Sequence, residues 1–175
     1  MKRLILIRHA KSSWSSEEED YYRPLNKRGL HDAPLMGDIL KLKNIYPDII
    51  ISSSAKRAAK TSKIIADQLE FNREKIEFTE SLYGATINDL NQIISNIDES
   101  INTVFIITHN PLITDFSNSI NDGFKVENVP TCGIVGINFI GKWQEFDKKT
   151  KNVFLFDFPK NYYKKEKKAK ENFSL

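Results

Sequence analysis

Three apolar runs of this sequence end on residues that can do chemistry. LILI at 4–7 leads into Arg8 and His9, DIIIS at 48–52 into Ser53, Ser54 and Arg57, and VFIIT at 104–108 into His109 and Asn110. A charged group inside a strand's core loses solvation that packing does not restore, so these residues belong at strand exits. Arginine's planar fork matches phosphate oxygens in a bidentate way and keeps its charge at any working pH. Two arginines can hold a phosphoryl dianion and stabilise the charge that spreads over its equatorial oxygens during transfer. A histidine beside such a group can attack phosphorus if the attacking nitrogen is unprotonated and the other nitrogen donates to a fixed acceptor. A second histidine can donate to a phosphate oxygen. The arginines supply the positive charge, so neither a metal nor another cofactor is expected.

Bringing these residues together requires neighbouring strands with aligned ends. Strands are expected at 2–7, 48–52, 76–79, 103–108, 133–140 and 152–158. Helices are expected over about 27–43, capped by Asn26, over 55–70, over 88–97 and from near Pro111. The alternation implies an α/β fold: a three-layer α/β/α sandwich with a mainly parallel sheet and an antiparallel C-terminal strand. Ligands in such sheets gather beyond the carboxyl ends of the strands. Arg57, on the first turn of its helix, adds the donors of a helix start to an anion site there.

At 175 residues, with 40% hydrophobic and 28% charged residues, the chain fits one soluble domain. MKRLILIRHA has the positive-then-apolar order of a signal peptide, but arginine interrupts an apolar part of four residues, so a cytoplasmic protein is expected. The single cysteine, Cys132, excludes an internal disulfide and reads as a small buried hydrophobe. The net charge of +3 is concentrated at the C-terminus, where residues 160–175 hold six lysines against two glutamates. The expected division is a domain over 1–159 and a lysine-rich, solvated tail over 160–175. Neither a nucleic-acid nor a membrane partner is expected, and the chain reads as a monomer.

The residues resemble those of the histidine phosphatase, or phosphoglycerate mutase-like, superfamily, and within it the short phosphohistidine phosphatase branch of the SixA type. The resemblance is carried by RHAKSSW at 8–14, RPLNKRG at 23–29, SSSAKRAAKTS at 52–62, LYGA at 82–85 and THNP at 108–111. These motifs occur in order across roughly residues 1–140. The resemblance implies that His9 is a nucleophile forming a transient phosphohistidine, that Arg8 and Arg57 bind the phosphoryl group, and that His109 completes the pocket. Ala10 and Thr108 stand where the family carries glycine, departures that touch affinity more than chemistry.

A general acid is the open assignment. Asp20, three residues before Arg23, is the first candidate, Glu80, just before SLY, is its rival, and a site in which neither serves is the third reading. The stretch between Arg57 and His109 is too short for a lid, so an open site is expected, and the resemblance implies a protein phosphohistidine, such as that of a histidine phosphotransfer protein, as its substrate. The alternatives are a phosphatase of a small phosphorylated metabolite or phosphoester, and a non-catalytic phosphate-binding regulatory module. His31 reads as an exposed or helix-packing residue, because no His-x-His or His-Glu-x-x-His spacing supports a metal site with His9 and His109. Trp14, Tyr21 and Tyr22 either line the mouth of the site or close the core over their loop.

Overall fold

The structure, a computed structural model, describes residues 1–14, 19–120 and 123–163. Part of the acidic loop SSEEED and residues 164–175 of the lysine-rich tail lie outside the described residues. Six strands, β1 (Lys2–Arg8), β2 (Ile49–Ser53), β3 (Ile76–Thr79), β4 (Thr103–Thr108), β5 (Ile134–Phe139) and β6 (Lys151–Asp157), form one sheet in the order β3-β2-β4-β1-β5-β6. The first four run parallel. β5 is antiparallel to both β1 and β6. The expected reversal at the C-terminal end is therefore present, and it falls on β5.

Alternation along β1 divides the core. Leu4 and Leu6 face one side of the sheet with Val104 and Ile106, whereas Ile5 and Ile7 face the other with Phe105 and Ile107. The first face is covered by α3 (Ile87–Ser95), α4 (Leu112–Ser119) and a 3-10 segment, Trp143–Lys148, whose Trp143 and Phe146 are buried. The second is covered by α1 (Lys27–Leu42) and α2 (Lys56–Gln68). These are the three expected layers. Leu4, Ile5, Leu6 and Ile7 are all fully buried, and each contributes about 1.5–3 kcal/mol by leaving water. The apolar run is thereby fixed, and its polar end emerges at the sheet's edge.

Local chemistry sets the helix ends. Asn26 Oδ1 accepts from Gly29 N–H at 3.0 Å and starts α1. Thr86 and Asp89 close a capping box on α3. Pro111, expected inside the first turn of the last helix, instead occupies the N-cap of α4, one residue before it. α2 stops at Gln68, short of the expected 70, because Glu70 takes a left-handed φ of 56°. No helix among the described residues is long and apolar enough to cross a membrane.

Candidate active site

Strand register brings the two histidines together. Arg8, the last residue of β1, pairs with Thr108, the last of β4, so His9 and His109 are the first residues past two adjacent strand ends. Their ring centroids lie 5.1 Å apart. His9 N–H donates to Thr108 O at 3.0 Å, and Cys132 N–H donates to both Arg8 O and His9 O at 3.1 Å. Cys132 holds this turn with a left-handed φ of 58°. It is wholly buried, which pushes its thiol well above the usual range and keeps it inert. Ala10 N–H donates to Thr61 Oγ1 at 3.0 Å, and the Thr61 hydroxyl donates to Arg57 O at 2.7 Å. The loop after β1 is thus tied to the first turns of α2, and the Ala10 methyl is accommodated within the core.

The hydrogen bonds of His9 fix its tautomer. Nδ1 lies 2.8 Å from Ala10 O, a carbonyl that can only accept, so Nδ1 carries the hydrogen. Nε2 then holds the lone pair and accepts from Arg57 Nε–H at 3.2 Å. Burial lowers the His9 pKa to about 3; the Ala10 bond works against this, while His109, Arg57 and Arg8 add to it. His109 is lowered to about 4, chiefly by burial and then by Arg57. Both rings are therefore neutral at physiological pH. His109 Nε2 sits 2.8 Å from Ser53 Oγ. Among the described residues, His109 Nδ1 and Arg8 Nε are buried nitrogens with no hydrogen-bond partner.

Arg57 reaches the centre of the cleft from the first turn of α2. Besides His9 it donates to Asp20 twice, Nη1 to the backbone oxygen at 2.5 Å and Nη2 to Oδ2 at 2.9 Å. Asp20 Oδ1 also accepts from Arg23 Nε at 2.9 Å, and Oδ2 accepts from the Tyr83 hydroxyl at 2.8 Å. Desolvation pushes the Asp20 pKa up, but the hydrogen bonds from Tyr83 and Arg23 and the charge of Arg57 outweigh it and leave the pKa lowered to about 2. Arg8 is anchored from the other side, Nη1 donating to Val129 O at 2.8 Å and to Asn128 Oδ1 at 3.2 Å.

Arg8, His9, Asp20, Arg57 and His109 line a single cleft of about 300 Å³, together with Lys11, Trp14, Arg23 and Thr131. The five residues singled out from the sequence are thus assembled. Glu80, the rival carboxylate, is exposed on the 3-10 turn Glu80–Leu82 and does not line the cleft. His31 lies apart on α1, against Asp32 and Tyr163. Among the described residues no cluster of three or more His, Cys, Asp or Glu side chains has metal-holding geometry. Trp14, 76% exposed, stands at the mouth with the Arg23 guanidinium 3.9 Å from its ring centre. Tyr21 is half-buried, its hydroxyl donating to Ser54 Oγ.

Sequence reasoning did not assign roles to Arg23 and Tyr83, although both stood inside quoted motifs. It also missed Asn128, Val129 and Thr131, which arrive through the reversal of β5: Ile134 at its start pairs with Ile7, so the preceding loop lands on the site. A larger groove of about 510 Å³ runs along β3 and α3, lined by Ile49, Ile51, Phe78 and Ile97. It contains no histidine or arginine. The chemistry therefore points to the smaller cleft, where neutral imidazoles face a cluster of guanidiniums, an arrangement able to hold a tetrahedral dianion against a nitrogen nucleophile.

Known proteins share this arrangement of elements. The solved structure of the protein histidine phosphatase SixA with tungstate superposes with a TM-score of 0.79 at 19% identity, covering 91% of this chain and 98% of that one. SixA from Nakamurella multipartitia superposes at 0.78 and 19% identity, covering 90% and 96%. At such identities the likeness is one of fold. In sequence, an uncharacterised chloroplastic protein of Arabidopsis thaliana is 36% identical over 118 residues, 62% of this chain and 54% of that protein. The chain thus spans about half the length of that relative. An uncharacterised Mycobacterium leprae protein is 28% identical over 166 residues, 88% of this chain and its own full length. The family model for the histidine phosphatase superfamily (branch 1) matches residues 4–114, from β1 into the first turn of α4. That span holds His9, His109, Arg8, Arg57 and Asp20 of the cleft, and it places the chain in the histidine phosphatase superfamily.

Proposed function

We propose that the chain is a metal-independent phosphatase that works through a phosphohistidine on His9. Nε2 of His9 attacks phosphorus, forming the N–P bond as the bond from phosphorus to the leaving group breaks. Water then attacks the phosphoenzyme, the N–P bond breaks, and inorganic phosphate leaves. Arg8 and Arg57 hold the phosphoryl oxygens, His109 donates a further hydrogen bond, and Asp20 supplies the proton to the leaving group. The observation that carries this reading is the bond from His9 Nδ1–H to Ala10 O. It leaves the Nε2 lone pair beside Arg57 in a ring that burial keeps neutral.

Protein phosphohistidine is the substrate class we favour. The cleft opens beside an exposed Trp14, without an inserted lid between α2 and β4, and the structurally similar SixA is described as a protein histidine phosphatase. A phosphorylated imidazole can also be protonated on its own nitrogen, which makes it an easier leaving group than an alkoxide. The catalytic unit on this reading is residues 1–159, with 160–175 an appended segment that acts outside the chemistry. Turnover of a phosphohistidine protein, compared with sugar phosphates and phosphoserine peptides in the presence of chelator, tests it. Fast hydrolysis confined to the first supports the reading. Preference for a small ester would reassign the substrate, and phosphate binding without any turnover would make the chain a regulatory module.

A further inference from the structure

Each nitrogen of the Arg57 guanidinium already donates a hydrogen bond. Nε donates to His9 Nε2, Nη1 to Asp20 O and Nη2 to Asp20 Oδ2. The Asp20 carboxylate in turn receives donors from three side chains: Arg23 through Nε at 2.9 Å and Nη2 at 2.6 Å, Arg57 through Nη2, and Tyr83 through its hydroxyl. Two guanidiniums and a hydroxyl converging on one group is the coordination a phosphoryl dianion would seek. Arg8 differs, since its Nη1 donates to the neutral Val129 O and Asn128 Oδ1. The Asp20 side chain also has solvent to move into. Its side chain is 48% exposed, and it begins a single 3-10 turn, Asp20–Tyr22, with no side-chain cap.

We propose that Asp20 is a displaceable internal anion: it occupies the phosphoryl subsite in the free protein, and an entering tetrahedral dianion takes its place on Arg57 and turns it into a protonated acid. This inference rests on the phosphatase reading and supplies what that reading lacks, a source for the proton of the general acid. In the free protein Asp20 is ionised, as its arginine and tyrosine partners dictate. Substrate removes part of that support and sets a second negative charge alongside, and both changes favour the neutral carboxyl. The groups facing Asp20 are Arg23 from its own loop, Arg57 from α2, Tyr83 from the turn before α3 and His109 after β4, with Arg8, His9 and Lys11 around the same cleft. His9 and His109 are the other neutral bases whose uptake of a solvent proton a bound anion would favour.

Sulfate is a suitable probe, because it is a tetrahedral dianion with no proton of its own to titrate near neutrality. Its binding is measured calorimetrically from pH 7 to 5, in buffers of different ionisation enthalpy, for the wild-type chain and Asp20→Asn. The wild type is expected to bind more tightly as pH falls, with net proton uptake that grows in the same direction. Asp20→Asn is expected to bind roughly tenfold more tightly at pH 7, having lost a like charge from the subsite, and to take up no proton. Unchanged proton uptake in Asp20→Asn would overturn the proposal by moving the proton to His9 or His109. Weaker binding by Asp20→Asn would overturn it by making Asp20 an organiser of the arginines rather than their competitor. Failure of both proteins to bind sulfate would instead overturn the phosphoryl-site reading itself.

Discussion

His109 Nε2 lies 2.8 Å from Ser53 Oγ, so the second imidazole is held from the end of β2 while its backbone extends from β4. Ser53 Oγ also accepts from Ala55 N–H at 3.3 Å and retains a proton that it can donate to Nε2. With that hydrogen bond donated to Nε2, Nδ1 of His109 carries the hydrogen that the proposed mechanism has it donate.

Ser53→Ala removes that restraint without disturbing β2, whose backbone pairing with β3 and β4 does not involve the hydroxyl. We expect kcat/KM to fall about tenfold, the equivalent of one positioning hydrogen bond. The thermal midpoint should drop by a few degrees, because the buried Ala55 N–H loses its acceptor. Steady-state kinetics beside a melting curve separate the two effects, and a loss of activity that merely tracks unfolding would count against a positioning role.

Neutral imidazoles at pH 5 are the electrostatic signature of the site. Burial lowers His9 to about 3 and His109 to about 4, so neither should titrate near the ordinary imidazole value of about 6.5. The unfolded chain binds protons at both rings below pH 6.5 while the folded chain does not, so stability is at its plateau above that pH and declines as pH falls below it. Imidazole chemical shifts followed from pH 8 to 5 should show both rings unprotonated throughout, with Nδ1 of His9 bearing the hydrogen. A midpoint near 6.5 for either ring would refute the burial argument.

Gly29 is required by a close approach. A β-carbon there would lie 2.2 Å from the Lys11 carbonyl oxygen, the same oxygen that accepts from Asn26 N–H at 3.0 Å. Gly29→Ala must therefore push apart the loop after His9 and the start of α1, both backbone segments. We expect a loss of about 2 kcal/mol or more in chemical denaturation, together with weaker phosphate binding, since Lys11 and Ser12 line the cleft.

The start of the C-terminal segment is anchored to the body. The Tyr163 hydroxyl lies within 3.0 Å of both oxygens of Asp32, a carboxylate with no exposed surface, and the Tyr162 hydroxyl donates to Asp157. Truncation after Pro159 strips a donor from the buried Asp32 and should cost about 1–3 kcal/mol. Turnover of a small phosphorylated substrate should survive this cut, because neither tyrosine lines the cleft.

How much of this was legible in the sequence depended on whether a residue's place follows from its own strand. Arg8, His9, Arg57 and His109 each stand just beyond an apolar run, and parallel strands with aligned ends bring such positions together. Asn26 was readable as a cap, because a short polar side chain ahead of an apolar-periodic stretch has a local partner. The loop carrying Asn128 and Thr131 was not readable. Its place depends on β5 running against β1, and VPTCGIV gives no sign of which strand end it will meet. The surroundings of Asp20 were only partly legible: Arg23 stands three residues away, but Tyr83 and Arg57, which also lower its pKa, lie far along the chain.

The central claim is that phosphorus passes through His9. A turnover mixture with a phosphohistidine protein, quenched in alkali and digested for mass spectrometry, should place the phosphoryl group on the His9 peptide. His9→Ala should keep its fold, carry no phosphate and lose at least about 10⁴-fold in turnover. A phosphoryl group on another residue, or near-normal turnover by His9→Ala, would contradict the account.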